Sequence, residues 1–372
     1  MIQEPAGLYV HVPFCRTKCR YCDFYSETDL DAVSPWFSAA LAEADLYREI
    51  CGAFDTLYLG GGTPSLLPAR LVESLLRGLR GCFSFGPGTE ITLEANPDDV
   101  TAEKLRAWRA AGVNRLSLGV QSFDDKELRF LGRRHGARCA MEALDLARKA
   151  GFSNVGIDLI WGLPGQSLSQ WMTTLEEALA FSPEHLSCYE LTVEEGTRLH
   201  EAVTTGAVVL PAEADLAERF LATSERLTVF GYDHYEVSNF ARTRRHRSRH
   251  NQKYWRHVPY LGLGPSAHSF MEGRRWWNVR SLHDYIRRLQ WNISPVAGDE
   301  RLTGDQLRLE TLYLGFRTSD GITRRELGEG PEVESALEAL RRSGNLEVVG
   351  DRVRATLTGW LMADRLPSFF DP

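Results

Sequence analysis

The sequence predicts an α/β protein: a partial (β/α)6 barrel, then an extension and a small C-terminal helical, winged-helix-like module. Three observations carry this. Six short β-rich runs alternate with amphipathic stretches, the alternation stops near Leu191, and the last part reads helix, turn, helix, hairpin. The β-rich runs are Gly7–Val12, Asp55–Leu59, Glu90–Ala95, Val113–Gly119, Asn154–Trp161 and His185–Leu191. Between them, Trp36–Ile50, Ala69–Leu79, Ala102–Ala111 and Arg138–Lys149 space apolar residues at helical intervals with charged outer faces. Such alternation implies parallel strands joined by right-handed crossovers. Six units fall short of a closed eight-fold barrel, and an open doubly wound sheet would give the same linear pattern.

Residues 1–200 thus read as the barrel core, 201–299 as an extension and 300–372 as the terminal module. The extension begins with a helix around Ala212–Phe230 and continues into Tyr232–Phe240. The stretch Arg242–His257, RTRRHRSRHNQKYWRH, holds basic residues and no acid. In the terminal module, Glu332–Ser343 is the second helix and LEVVGDRVRAT a hairpin turning at Gly350-Asp351. A winged helix raises a nucleic-acid reading. From Glu300 onward there are 13 acidic residues against 10 basic ones, whereas a DNA-reading face is basic. A structural or lid role fits better.

A chain of 372 residues, 43% hydrophobic and 25% charged, has the composition of a globular protein rather than a fibrous or disordered one. Net charge −7 argues against a global polyanion-binding surface. No apolar run nears the roughly 18 residues of a membrane span, and the start, MIQEPAGLYVHV, lacks the basic and cleavage segments of a secretory signal. Seven cysteines is an odd number, with Cys15, Cys19 and Cys22 crowded together and four scattered. A disulfide framework would spread paired cysteines over a small secreted fold, so reduced thiols in the cytoplasm are expected.

The triplet follows the first strand in HVPFCRTKCRYCDFYS. Three thiolates at CxxxCxxC spacing can hold three corners of an iron–sulfur cube and leave one iron open, since such clusters usually take four cysteines. Structural zinc needs four ligands; His11 would have to be the fourth, from a rigid strand. Inert thiols are the third possibility. Gly60-Gly61-Gly62-Thr63-Pro64 allows close backbone approach to a ligand or forms a plain turn, and no Lys-Ser/Thr follows to make a phosphate loop. Glu94 and Asp158 interrupt apolar strands, which is costly unless they are paired or used. On a barrel, residues near strand C-terminal ends face the site.

The triplet resembles the radical S-adenosylmethionine (SAM) superfamily. The words YVHVPFC, GGGTPS, ITLEANPDD, RLSLGVQSF, LGRRH and IDLIWGLPGQ resemble its coproporphyrinogen III oxidase-like branch, over nearly the whole chain. The resemblance implies a 4Fe-4S cluster on Cys15, Cys19 and Cys22, with SAM on the open iron. It places Gly61, Gly62 and Thr63 at the methionine end of SAM. Glu94, Gln121, Arg133 and Asp158 would hold its ribose, carboxylate and adenine, with Tyr9, Tyr21 and Thr192 beside them. A tyrosine on a barrel strand, as Tyr9 is, is more often core, and Thr192 matches through a backbone position. His268, in GLGPSAHSF, aligns with an adenosine contact or is a buried, hydrogen-bonded histidine.

Oxidases of this branch carry CxxxCxxCxC and an N-terminal extension before the cluster. Here the fourth position is Phe24 and the triplet comes early. The CxF form and His250-Asn251-Gln252-Lys253-Tyr254-Trp255, an HNxxYW motif, resemble instead the haem chaperone branch. That implies haem as a third bound group. Imidazole is a common haem ligand and arginines bind carboxylates bidentately. His250 is therefore the candidate axial ligand, and Arg242, Arg244, Arg245, Arg247, Arg249 and Arg256 are candidate propionate partners, beside the flat faces of Tyr254 and Trp255. A solvated basic loop with a satisfied histidine is the alternative. Function is expected to be haem binding and transfer to an acceptor protein, with an electron donor as further partner and no nucleic acid. The alternatives are oxygen-independent coproporphyrinogen III oxidation and, outside the family, a zinc-stapled binding module.

Overall fold

The computed structural model describes residues 4–49 and 53–370. Six strands pair in parallel and in chain order: β1 (Ala6–Val12), β2 (Ala53–Gly61), β3 (Ser84–Ala95), β4 (Arg115–Gln121), β5 (Val155–Trp161) and β6 (His185–Glu190). A doubly wound sheet reverses its strand order at a switch point. Here the order runs one way, as in the expected partial barrel. β3 starts six residues before the expected run because Ser84 and Phe85 pair with Ala53 and Phe54 ahead of a register shift.

The helices α1 (Val33–Leu46), α2 (Ala69–Cys82), α3 (Ala102–Ala110), α4 (Asp125–Leu131), α5 (Ala137–Lys149) and α6 (Leu168–Ala180) link these strands. The expected first helix ran to Ile50, which lies outside the described residues; α1 stops at Leu46. Apolar spacing decides which face each helix buries: α2 sinks Val72, Leu75, Leu76 and Leu79. α6 starts at a reciprocal cap between Ser167 and Gln170, which satisfies backbone donors that have no partner within the helix.

Strand alternation divides each barrel strand between two environments. In RLSLGVQ of β4, Leu116, Leu118 and Val120 are fully buried in the core, while Arg115, Ser117, Gly119 and Gln121 line the interior. The barrel is therefore polar inside and greasy outside.

The extension attaches to both edges of this sheet. On the β6 side, α7 (Arg198–Thr204) and α8 (Glu213–Val229) lead to β7 (Asp233–Glu236) and β8 (Asn239–Ala241), with β8 antiparallel to β6. A short helix, α9 (Arg249–Trp255), then crosses to the other side. There β9 (Tyr260–Leu263) pairs in parallel with β1, followed by antiparallel β10 (His268–Met271), β11 (Arg274–Asn278) and β12 (Val296–Arg301). α10 (Leu282–Gln290) packs on α1. These four short strands are absent from the sequence reading, and β12 crosses its boundary at 299/300.

The terminal module contains α11 (Gly304–Phe316), β13 (Ile322–Thr323), α12 (Arg324–Leu327), α13 (Pro331–Arg342), β14 (Leu346–Val349), β15 (Arg352–Ala355) and α14 (Leu357–Trp360). Its separate sheet has the order β13-β15-β14, and Gly350 turns the hairpin in the left-handed region, φ 64°. Backbone bonds from Val237 N to Arg317 O (2.9 Å) and from Ser319 N to Tyr235 O (3.0 Å) fasten it to the barrel. Among the described residues no helix is long and apolar enough to cross a membrane.

Candidate cofactor site in the barrel

A cavity of about 1240 Å³ fills the barrel interior, above the roughly 300–1,000 Å³ of ordinary small-molecule pockets. Tyr58 of β2 and Tyr189 of β6 both line it, so the sheet curls around it. Arg115 and Ser248 lie at the N-terminal floor, and residues 360–365 of the terminal module also line the cavity.

The cluster-type loop leaves β1 at its C-terminal end. Its base is tied by Cys15 N donating to Glu27 O (2.9 Å) and Glu27 N to Pro13 O (2.7 Å). His11 Nε2 and Tyr25 O, 2.9 Å apart, add a side-chain tie; with burial holding His11 down to about 4, the imidazole is neutral and Nε2 carries the donated proton. All three thiols are half-buried. Cys15 Sγ lies 3.3 Å from Thr63 Oγ1, and Arg133 Nη1 lies 3.5 Å from Cys19 Sγ. Among the described residues no three His, Cys, Asp or Glu side chains converge on one metal-ion position, whereas structural zinc requires four. Three thiols spread around one loop suit a larger cluster.

The glycine turn packs against this loop. A Cβ on Gly62 would come within 2.7 Å of Phe14 O, and one on Gly61, at φ 104°, within 2.5 Å of the His11 ring. Only bare backbone fits there; Gly62 N donates to Val12 O (2.9 Å), and the turn lines the cavity wall next to the cysteines. Two buried polar atoms in the same wall have no partner, Gln121 Oε1 and Arg133 Nε. Gln121 itself has φ 69°, a conformation non-glycine residues rarely hold without a role. The donor set, the glycine cradle and these unpartnered atoms fit a cluster with SAM beside it.

Cys22, Tyr21, Gly61, Gly62, Thr63, Glu94, Gln121, Arg133, Asp158 and Thr192 all line the cavity, and Cys19 lines an adjoining crevice with Thr63 and Arg133. Arg133 also donates to Gly119 O at 2.8 Å. Burial pushes the Glu94 carboxyl up to about 7, with Asp158 adding to the rise against the hydrogen bond from Tyr58, 2.7 Å away. Burial raises Asp158 as well, against hydrogen bonds from Ser187 and Ser117. Both are acceptors for ligand hydroxyl or ammonium groups.

Two expected SAM contacts lie elsewhere. Tyr9 sits in the wall, its hydroxyl 3.0 Å from His11 Nδ1, and does not line the cavity. His268 is on β10, outside the barrel, exposed and stacked 5.9 Å from Trp277. Pattern reading missed Tyr58, Asn96, Arg115, Ser117, Ser187 and Tyr189, all cavity-lining. Their signal was the strand alternation itself: polar residues at every second position between leucines and valines.

The basic stretch is turned inward, unlike the open haem-binding row the sequence leads one to expect. α9 plugs the floor of the barrel, opposite the cysteines. His250 is 1% exposed. Its Nδ1 is 2.8 Å from Thr56 Oγ1 and its Nε2 2.7 Å from Tyr254 Oη, and its ring stacks on Tyr58 at 5.1 Å. Burial, with Lys253 adding, lowers it to about 3, so it is neutral. With both ring nitrogens engaged, His250 has no lone pair free for haem iron in this arrangement. Acids from distant segments neutralise much of the stretch. Arg247 pairs with Asp233 (2.7 Å), Arg249 with Asp55 (2.8 Å), Arg256 with Glu4 (2.9 Å) and Arg244 with Asp320 (3.8 Å). Arg242 lies over the Tyr232 ring. The expected row of propionate partners is mostly a set of internal ion pairs.

The open parallel barrel and its three-cysteine loop define the class, a radical SAM protein, and the model of the Radical SAM superfamily matches residues 9–178. Curated relatives include the heme chaperone HemW of Mycobacterium tuberculosis, 39% identical over 97% of this chain and 93% of its own length. HemW of Escherichia coli is 37% identical over 75% of this chain and 74% of its own. The mitochondrial radical S-adenosyl methionine domain-containing protein 1 of Bos taurus is 39% identical over 87% and 75%. The chain belongs to the HemW heme chaperone family. Among solved structures, E. coli coproporphyrinogen III oxidase (HemN) superposes with TM-score 0.83, covering 99% of this chain and 90% of that one at 23% identity, which is a likeness of fold.

Proposed function

We propose that this protein binds haem and hands it to an acceptor protein in the cytoplasm, carrying a 4Fe-4S cluster on Cys15, Cys19 and Cys22 with SAM beside it. The observation that carries the reading is near-full-length identity to heme chaperones. It is supported by Phe24, 69% exposed where oxidases of the branch carry a fourth cysteine. The cluster, when bound, supplies an open, redox-active iron that can be chelated by the amino and carboxylate groups of SAM, and it calls for an electron donor. The chain's own groups do the rest: Arg133 and Gln121 offer a donor and an acceptor to the methionine carboxylate and ammonium, Glu94 and Asp158 accept from hydroxyls, and the glycine turn admits the ligand to close range.

The test pairs a haem titration of the reconstituted protein with an anaerobic assay on coproporphyrinogen III. Saturable haem binding, transfer to an apo-haemoprotein and no protoporphyrinogen IX are expected. Steady turnover of coproporphyrinogen III would restore the oxidase reading.

A further inference from the structure

From the floor of the cavity we infer that Arg115, with His185 and Asn251, forms a receptor for a carboxylate, and that this carboxylate is a haem propionate reaching down the barrel. The inference rests on the haem-carrier reading above and gives the haem an orientation.

Arg115 opens β4, is 2% exposed and lines the cavity. Its Nη1 donates to His246 O (3.0 Å) and Asn154 Oδ1 (3.4 Å), its Nε has no partner, and among the described residues it forms no ion pair. A buried guanidinium with no carboxylate in ion-pair contact is costly to keep. The two carboxylates in the neighbourhood are otherwise engaged: Asp158 accepts from Ser117, and Glu90 Oε1 accepts from His250 N at 3.2 Å. They temper the charge without pairing with it. His185, 2% exposed, has Nε2 2.7 Å from Tyr235 Oη, whose hydroxyl accepts from Ser248 N (3.1 Å) and so can donate to Nε2, which leaves Nδ1 without a partner and able to carry the ring proton. Half-buried Asn251 completes a polar floor under a cavity large enough for more than SAM.

The ligand carboxylate is not that of SAM. Arg115 and Gln121 stand at opposite ends of β4, about 20 Å apart at roughly 3.3 Å per residue. A SAM molecule held at Gln121 and Arg133 beside the cysteines cannot place the same carboxylate on the floor. A porphyrin carries two propionates on one edge, and the macrocycle between floor and SAM would then sit inside the barrel, above α9 and not among the arginines of the basic stretch.

The experiment is a Soret titration of the reconstituted protein with haem and with haem dimethyl ester, with and without saturating SAM, on wild type, Arg115→Gln and Asn251→Leu. Wild type is expected to prefer haem over the ester by roughly 10- to 100-fold, the worth of one or two buried charge-assisted hydrogen bonds. Arg115→Gln should remove most of that preference by weakening haem while leaving the ester unchanged. Asn251→Leu should reduce it several-fold. If Arg115→Gln does not fold, the wild-type comparison and Asn251→Leu decide. Equal wild-type affinity for haem and ester overturns the receptor and leaves the carrier reading intact. A preference that survives both variants puts the propionates elsewhere, and a preference abolished by SAM assigns the floor to the SAM carboxylate. A wild type that binds neither porphyrin overturns the carrier reading itself.

Discussion

Replacing His250 with Ala separates a structural plug from a haem ligand. The substitution leaves the hydroxyls of Thr56 and Tyr254 without their ring partners and removes a ring stacked on Tyr58. Each unpaired buried hydroxyl costs about 1–3 kcal/mol, and emptying an aromatic-sized site costs about 3–5 kcal/mol. Because these terms overlap, a loss of about 4 kcal/mol at pH 7.5 is expected, a large share of the roughly 5–15 kcal/mol of a typical domain. The loss carries a pH signature. His250 is depressed to about 3 in the folded protein and titrates near 6.5 when unfolded. Below pH 6.5 the unfolded chain therefore takes up a proton that the folded one refuses, and wild-type stability falls as pH falls towards 3. At pH 5 this amounts to about 2 kcal/mol, at about 1.36 kcal/mol per pH unit. The alanine variant has no imidazole to titrate, so its deficit should narrow from about 4 to about 2 kcal/mol. Urea unfolding of both proteins without haem, at pH 7.5 and pH 5, measures this. A variant as stable as wild type at pH 7.5, or a deficit that does not narrow at pH 5, would refute the plug. A changed Soret band in a fully stable variant would return His250 to the iron.

Replacing any one of Cys15, Cys19 or Cys22 with Ala should abolish the cluster, measured as iron and acid-labile sulfide after reconstitution; full iron content in all three variants contradicts the assignment. Asp158→Asn should weaken SAM binding about tenfold in equilibrium dialysis, by removing a buried charged acceptor; unchanged affinity would take Asp158 out of the site. Glu43→Leu should destabilise the fold by about 3 kcal/mol or more. It strands three donors now bonded to that buried carboxylate, Gly264 N (2.8 Å), Asn278 Nδ2 (2.6 Å) and Tyr285 Oη (2.6 Å), which hold α1 to the edge of the sheet. An unchanged melting temperature would show that this edge is held otherwise.

What each region yields to sequence reading follows from how local its determinants are. The six barrel strands and their helices are written in runs of neighbouring residues, so period 2 and period 3.6 find them. The cysteine triplet is confined to eight residues of one loop and is equally legible. By contrast, β9–β12 are strands because the edge of β1 is there to pair with Tyr260–Leu263. No four-residue run announces that. Likewise, the alternation of Arg115, Ser117, Gly119 and Gln121 becomes a lining only when the sheet curls around a cavity.

Legible in the sequence alone are the α/β class, the three-cysteine loop and the glycine-rich turn and, through the family resemblance, several of the polar residues that line the cavity, since motif spacing and strand parity survive folding. The tertiary structure decided the fate of charge. Arg242–His257 has no acid within it, yet Asp55, Asp233, Glu4 and Asp320 arrive from elsewhere to neutralise it. Arg115, unremarkable among leucines, is left buried with no ion-pair partner among the described residues. Coulomb energy depends on distance through space and on burial, and neither is written in the order of the residues.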